Sequence, residues 1–175
     1  CQRLINLSKD NWDEASTVGP ERIVRPDSNA RKSDVAFVND QWVYDLIWPF
    51  MEIANEDAGW KYHIVAAEKC QIAKYTKDEF YSWHTDSLGS HNDVNTDSDD
   101  RLLYGNVRKL SMSILLNDDY EGGNFQISGK GEEEQEIEGE GSIVVFPSFS
   151  WHQVTPVTKG TRYSLVAWFV GPPFV

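Results

Sequence analysis

The chain has 175 residues, 13% of them aromatic, with seven tryptophans and a formal net charge of −12. That length suits one domain with a sizeable core, and the acidity argues against electrostatic binding to a nucleic-acid backbone, which needs clustered Lys and Arg. The same charge would suit a basic peptide partner or simply solubility. No secretory h-region and no apolar run long enough to span a bilayer is visible, so no membrane partner is expected. The two cysteines, Cys1 and Cys70, make no disulfide framework, and a cytoplasmic setting is the default expectation. Because the chain begins at Cys1 rather than Met, targeting is left open.

In chain order, the first 35 residues are polar and mixed, and they predict a short helix near Trp12 followed by an extended arm. Val43, Leu46, Ile47, Phe50 and Ala54 then follow the spacing of an amphipathic helix. Asn39 or Asp40 can cap its start and Gly59 can end it. Pro49 lies inside that pattern, which predicts a kink or two shorter helices. After Gly59 the character changes. "WKYHIV", "CQIAKY", "FYSWH", "KLSMSILL", "GNFQI", "GSIVVFP", "HQVTPV" and "RYSLVAWFV" read as short strands between turn signals. Helices first and strands after predict an α+β, mainly β, arrangement with the helices against one sheet.

Two segments interrupt the strands. Asp86 to Asp100 holds five aspartates and no Lys or Arg. It reads as a long loop, and such loops often act as lids over sites. "GEEEQEIEGEG" carries six glutamates and reads as a solvated hairpin or strand edge.

The chemistry concentrates in "FYSWHTDS". On a strand, residues two apart share a face, so His84 and Asp86 would project together while Trp83 and Thr85 point away. Alone, the pair could be a surface accident, a hydrogen-bonded pair or two legs of a metal site. His152 changes the balance, because it follows the buried strand and Pro turn of "VVFPSFSW". Two histidines and one carboxylate on strands can form a facial triad that leaves positions open on non-haem Fe(II). His63 reads instead as structural or surface-exposed, and His91, in the acidic loop, as a non-ligand. Ten residues beyond His152 comes Arg162, which strand parity places with Ser164, Val166 and Trp168. A hairpin setting this strand beside His152 would bury the guanidinium near the metal. A buried Arg wants a carboxylate. Either a core Asp or Glu, or a small dicarboxylate chelating the metal at its other end, would serve.

"YTKDEFYSWHTDS", "RKLSMSILLND", "EGGNFQI" and "GSIVVFPSFSWHQVTPVTKGTRYSLVAWF" together resemble the Fe(II)- and 2-oxoglutarate-dependent dioxygenases, most closely the prolyl 4-hydroxylase and PKHD-type hydroxylase group. The similarity runs from about Ala30 to Phe174. It implies a double-stranded β-helix (jelly-roll) with N-terminal helices packed on one sheet. On that pattern 1–175 is a single dioxygenase domain. Residues 1–59 form a helical support and arm, 60–175 the β-helix core, and 86–108 a lid.

The resemblance implies His84, Asp86 and His152 as iron ligands and Arg162 as the anchor for the distal carboxylate of 2-oxoglutarate. It adds Tyr75 and Ser164 as further cosubstrate contacts. Some relatives place a second cosubstrate tyrosine where this chain has Leu115. Asp86 argues against the halogenase branch, which vacates that position. The implied cofactors are Fe(II), 2-oxoglutarate as cosubstrate and O2, with ascorbate as a candidate reductant. The implied reaction couples oxidative decarboxylation of 2-oxoglutarate to hydroxylation of a C–H bond. Substrate would enter past Trp83, Tyr81, Tyr104 and the acidic loop, with Trp151 read as core. The expected substrate is a prolyl or other residue in a peptide or protein. A free amino acid or small metabolite is the alternative, and a non-catalytic metal-binding β-barrel the alternative of another class.

Overall fold

The computed structural model describes residues 1–15, 17–18, 24–25, 29–88, 94, 101–128 and 135–174. Helix α1 spans Gln2–Leu7 and α2 spans Gln41–Asp57. The strands that frame the site are β1 (Arg31–Lys32), β2 (Asp34–Val38), β3 (Cys70–Tyr75), β4 (Phe80–His84) and β5 (Val107–Leu115). They continue with β6 (Phe125–Ile127), β7 (Ile143–Pro147), β8 (His152–Val154), β9 (Val157–Lys159) and β10 (Arg162–Gly171).

Two antiparallel sheets organise these strands. The larger runs β2-β3-β10-β5-β7, with Asp13–Glu14 beyond β2 and Ala66–Ala67 on the end of β10. The smaller runs β6-β8-β4-β1, with Gln135–Glu136 beyond β6. Glu121–Gly122 pairs with β9 as a separate ribbon. The mainly β, jelly-roll-like architecture is therefore present. Strand alternation gives the larger sheet two buried faces. Ile72, Leu110, Met112, Leu165 and Phe169 form one core cluster with Val43, Ile47 and Met51 of α2. Val35, Ala73 and Tyr75 of the opposite face form a second with Phe125, Phe146 and Val154.

Several expectations about local structure differ from what is observed. The first helix ends at Leu7, before Trp12, which packs its ring against Tyr163. The helix of Gln41–Asp57 runs unbroken through Pro49. Its buried stripe of Val43, Ile47 and Met51 continues on both sides of the proline, so tertiary packing outweighs the lost hydrogen bond. Gly59, at φ +71°, ends it, with its N–H donated to the Glu56 carbonyl. "WKYHIV" joins no ladder before Ala66, and "HQVTPV" divides into two strands at Thr155 and Pro156. The arm itself contributes a strand to each sheet, β1 to the smaller and β2 to the larger. Among the described residues, no helix is long and apolar enough to cross a membrane.

Candidate metal centre

Register brings the two histidines together. On adjacent strands of the smaller sheet, His152 sits directly opposite His84. Their rings lie 4.1 Å apart. A register shift follows, so that Val154 pairs with Tyr81. This irregularity turns Tyr81 toward the cavity along with His84, and the two rings stack at 3.5 Å. Asp86 lies just past the end of β4. Its N–H is donated to the Ser148 carbonyl.

Side-chain hydrogen bonds aim the donor atoms. His84 Nδ1 lies 2.7 Å from the Ser82 carbonyl and His152 Nδ1 lies 3.0 Å from the Ser150 carbonyl. A carbonyl only accepts, so both Nδ1 atoms carry the proton and both Nε2 lone pairs are free. Those Nε2 atoms face the Asp86 carboxylate, His84 at 3.8 Å from Oδ1 and His152 at 3.7 Å from Oδ2. The three ligand atoms lie within 4.8 Å of one another. Burial pushes the His84 imidazole down to about 4, with His152 adding to the effect and Asp86 opposing it. Burial also works against the Asp86 carboxylate, but His152, Arg108, His84 and the Ser111 hydroxyl together hold it below the usual range. Two imidazoles presenting Nε2 and one carboxylate are a donor set that can hold a divalent metal such as Fe(II).

A cavity of about 380 Å³ opens beside these donors. At one end lie Tyr75 and Ser164. Arg162, fully buried, pairs in register with Tyr75, whose ring centre is 5.5 Å from Cζ. Arg162 Nη1 donates to Ser164 Oγ at 2.9 Å, while Nε and Nη2 are buried with no hydrogen-bond partner among the described residues. Leu115 is buried and pairs in register with Ser164. The strand carrying Arg162 is not beside His152, as the hairpin reading had it. It lies in the larger sheet and reaches the site from across the sandwich. Gly123 makes room for the arginine. A Cβ there would lie 3.0 Å from Arg162 Cδ and 2.8 Å from Val157 Cγ2. The unpaired donors suit a carboxylate of the size and charge of one end of 2-oxoglutarate.

Several cavity residues were not assigned from the sequence. Arg108 forks onto Glu68 at 2.7 and 2.6 Å and stacks over Trp168 at 4.0 Å. It faces inward because the β5–β10 register shifts at Lys109, which simple alternation cannot reveal. Arg31 stacks over Tyr81 at 4.5 Å, and Gln71 and Phe37 complete that wall. Trp151 is exposed rather than core, at 56%. His63 is exposed and apart from the cluster. His91 and most of the acidic loop read as a lid (89–93 and 95–100) lie outside the described residues, as do 131–134 of the glutamate-rich segment.

A family model described as the 2OG-Fe(II) oxygenase superfamily matches residues 70–170, more than half of the chain. The chain belongs to that superfamily. Curated relatives include a PKHD-type hydroxylase from Synechococcus sp. (strain CC9605), 34% identical over 100 residues, which are 55% of this chain and 39% of that protein. Another PKHD-type hydroxylase, from Idiomarina loihiensis, is 31% identical over 99 residues, again 55% of this chain and 39% of that protein. The chain thus spans about two fifths of the length of these relatives. Among solved structures, a prolyl hydroxylase from Trichoplax adhaerens, in complex with a hypoxia inducible factor oxygen degradation domain peptide fragment, superposes with a TM-score of 0.70. It is 17% identical and covers 96% of this chain and 74% of its own. A Pseudomonas putida prolyl-4-hydroxylase gives a TM-score of 0.60 at 20% identity, with 94% of this chain and 95% of that one covered. These structural likenesses establish the shared fold.

Proposed function

We propose that the chain is the catalytic domain of an Fe(II)- and 2-oxoglutarate-dependent hydroxylase acting on a prolyl or other residue of a peptide or protein. His84, Asp86 and His152 hold the metal through Nε2, a carboxylate oxygen and Nε2. Arg162 receives the distal carboxylate of 2-oxoglutarate, with Ser164 steadying its guanidinium and Tyr75 closing the pocket beside it. Residues 60–175 carry the metal ligands and the cosubstrate anchor, and residues 1–59 serve as helical support and arm, with Arg31 and Phe37 added to the cavity wall. When bound, the metal and cosubstrate would supply hydroxylation of a C–H bond by O2, with 2-oxoglutarate converted to succinate and CO2, one oxygen atom entering succinate and the other the new hydroxyl.

The protein's own part is to bind, orient and exclude water. The two Nδ1–H donations to Ser82 and Ser150 fix the imidazole tautomers and ring planes. Phe125 and Phe146, with ring centres 5.7 and 4.7 Å from that of His152, keep one side of the donors dry. The far wall, with Arg31, Glu68, Arg108 and Trp168, is where substrate would enter.

One observation carries this reading: a fully buried arginine with two unpaired donors is hydrogen-bonded to Ser164, which lines the same cavity as the His-Asp-His cluster. A bare metal binder has no need of such a dicarboxylate anchor. The peptide reading is supported by the prolyl hydroxylase that shares this fold and was solved with a peptide. The test is succinate release with Fe(II) and 2-oxoglutarate across panels of proline-containing peptides and free amino acids. Stimulation by peptides alone is expected. Stimulation only by free amino acids would move the substrate to the small-molecule class, and no succinate formation under any condition would remove the enzyme reading.

A further inference from the structure

Behind Asp86 lies a chain of hydroxyls that neither histidine has. Ser111 Oγ is 2.6 Å from Asp86 Oδ2, and Ser148 Oγ is 2.9 Å from Ser111 Oγ. Both serines are buried, at 0% and 1% exposure. An ionised carboxylate only accepts, so the single Ser111 proton is committed to Asp86. The Ser111–Ser148 contact must then be donated by Ser148. Its direction is set, and each bond polarises the next.

The backbone holds the same assembly. The Ser148 carbonyl accepts both the Asp86 and Ser87 N–H groups, and the Ser148 N–H is donated to the Lys109 carbonyl. The bond to Lys109 continues the β5–β7 pairing one residue beyond Leu110 and Pro147. Three segments distant in sequence therefore meet at one carboxylate: the end of β4, the middle of β5, and the turn after β7.

We infer that Ser111, directed by Ser148, is the positioning residue that sets the orientation of the Asp86 carboxylate. A short charge-assisted bond to Oδ2 holds the group against rotation and weakens that oxygen as a donor. Oδ1 is left as the freer ligand. A carboxylate giving one oxygen keeps open the positions that a facial triad must reserve for cosubstrate and O2. The inference rests on Asp86 being a metal ligand, and it concerns which oxygen is offered.

The test uses the full chain without cosubstrate and measures Mn(II) affinity by the loss of the free-ion EPR signal. Melting temperature of the metal-free protein is recorded in parallel. Variants are Ser111→Ala, Ser111→Thr, Ser148→Ala and Asp86→Ala. Loss of an outer-shell partner of this kind costs roughly 10–100-fold in metal affinity. Ser111→Ala is expected to show that loss, and Ser111→Thr, which keeps the hydroxyl, to bind close to wild type. Ser148→Ala is expected to weaken binding in the same direction by less. If Asp86→Ala weakens binding and Ser111→Ala does not, the inference is overturned while the metal site stands. If Asp86→Ala binds like wild type, the metal-site reading falls and the inference with it. Should Ser111→Ala not fold, native affinity in folded Ser148→Ala would overturn the inference.

Discussion

Arg162 and Ser164, two residues apart on one face of β10, share one hydrogen bond at 2.9 Å, which leaves two other guanidinium nitrogens buried without a partner among the described residues. A buried unpaired donor costs free energy, and a ligand carboxylate removes that cost. The arginine is therefore poised for an anion rather than for the core. Replacing Arg162 by Ala is expected to raise the 2-oxoglutarate requirement by what truncating a buried charge pair costs, about 2–5 kcal/mol. Mn(II) affinity should change little. Titration of succinate release against 2-oxoglutarate checks it, and an unchanged half-saturation would place the anchor elsewhere.

Gly123 extends the same relationship. Its φ is +61°, and a Cβ would press on both Arg162 Cδ and Val157 Cγ2. Gly123→Ala is expected to lower the melting temperature and weaken 2-oxoglutarate binding together, because the side chain displaced is the proposed anchor. Calorimetry and a cosubstrate titration on the same sample test this. A loss of stability with native cosubstrate affinity would show that Val157 alone gives way.

Arg108 and Glu68 form their fork in the cavity wall away from Arg162. Arg108→Ala is expected to abolish peptide-stimulated succinate release while sparing the slow, substrate-independent decay of 2-oxoglutarate. The two rates measured side by side separate a substrate contact from a general collapse of the site. Equal loss of both rates would contradict the assignment of this wall to substrate.

The depressed His84 imidazole, at about 4, gives a pH dependence of definite sign. Between the ordinary imidazole value near 6.5 and about 4, the unfolded chain takes up a proton at this position and the folded chain does not. This contribution to stability is therefore present above about pH 6.5 and is lost as pH falls toward 4, to a depth on the order of 3 kcal/mol. Metal affinity should fall over the same range, since the ligand must be neutral. Urea titrations of the metal-free protein at stepped pH test it. A flat stability between pH 6.5 and 4.5 would contradict the burial argument.

Part of the site was legible through simple periodicity, and "VVFPSFSWH" marks a buried strand followed by a turn and a new strand. Asp86 lies past the end of β4, so it meets His84 through the bend held by Ser148 rather than by strand parity. Parity groups Arg162 with Ser164 and Trp168, all of which meet the cavity or adjoin it. Tyr81, expected at the substrate entrance, lies three residues from His84 and faces the cavity because the β4–β8 pairing shifts. What escaped depends on irregular register too. Arg108 faces inward only because Lys109 is an extra residue in β5. Glu68 lies outside any strand and meets Arg108 across 40 positions of chain. Alternation also cannot say which sheet a strand joins, so Arg162 was expected beside His152 rather than across from it. Pro49 does not divide the helix in two for a related reason, since helix propensity is local and the packing of Ile47 and Met51 is not.

In the proposed site His84, Asp86 and His152 hold Fe(II) with positions open for a 2-oxo acid anchored by Arg162. Visible absorption of the anaerobic Fe(II)-loaded chain on addition of 2-oxoglutarate tests it most directly, because no substrate need be known. A 2-oxo acid chelating Fe(II) through its keto and carboxylate oxygens gives a metal-to-ligand charge-transfer band. The band should appear in the wild-type chain, be absent in Asp86→Ala, and require far more 2-oxoglutarate in Arg162→Ala. No band in the iron-loaded wild type, or an equal band in Asp86→Ala, would contradict the account.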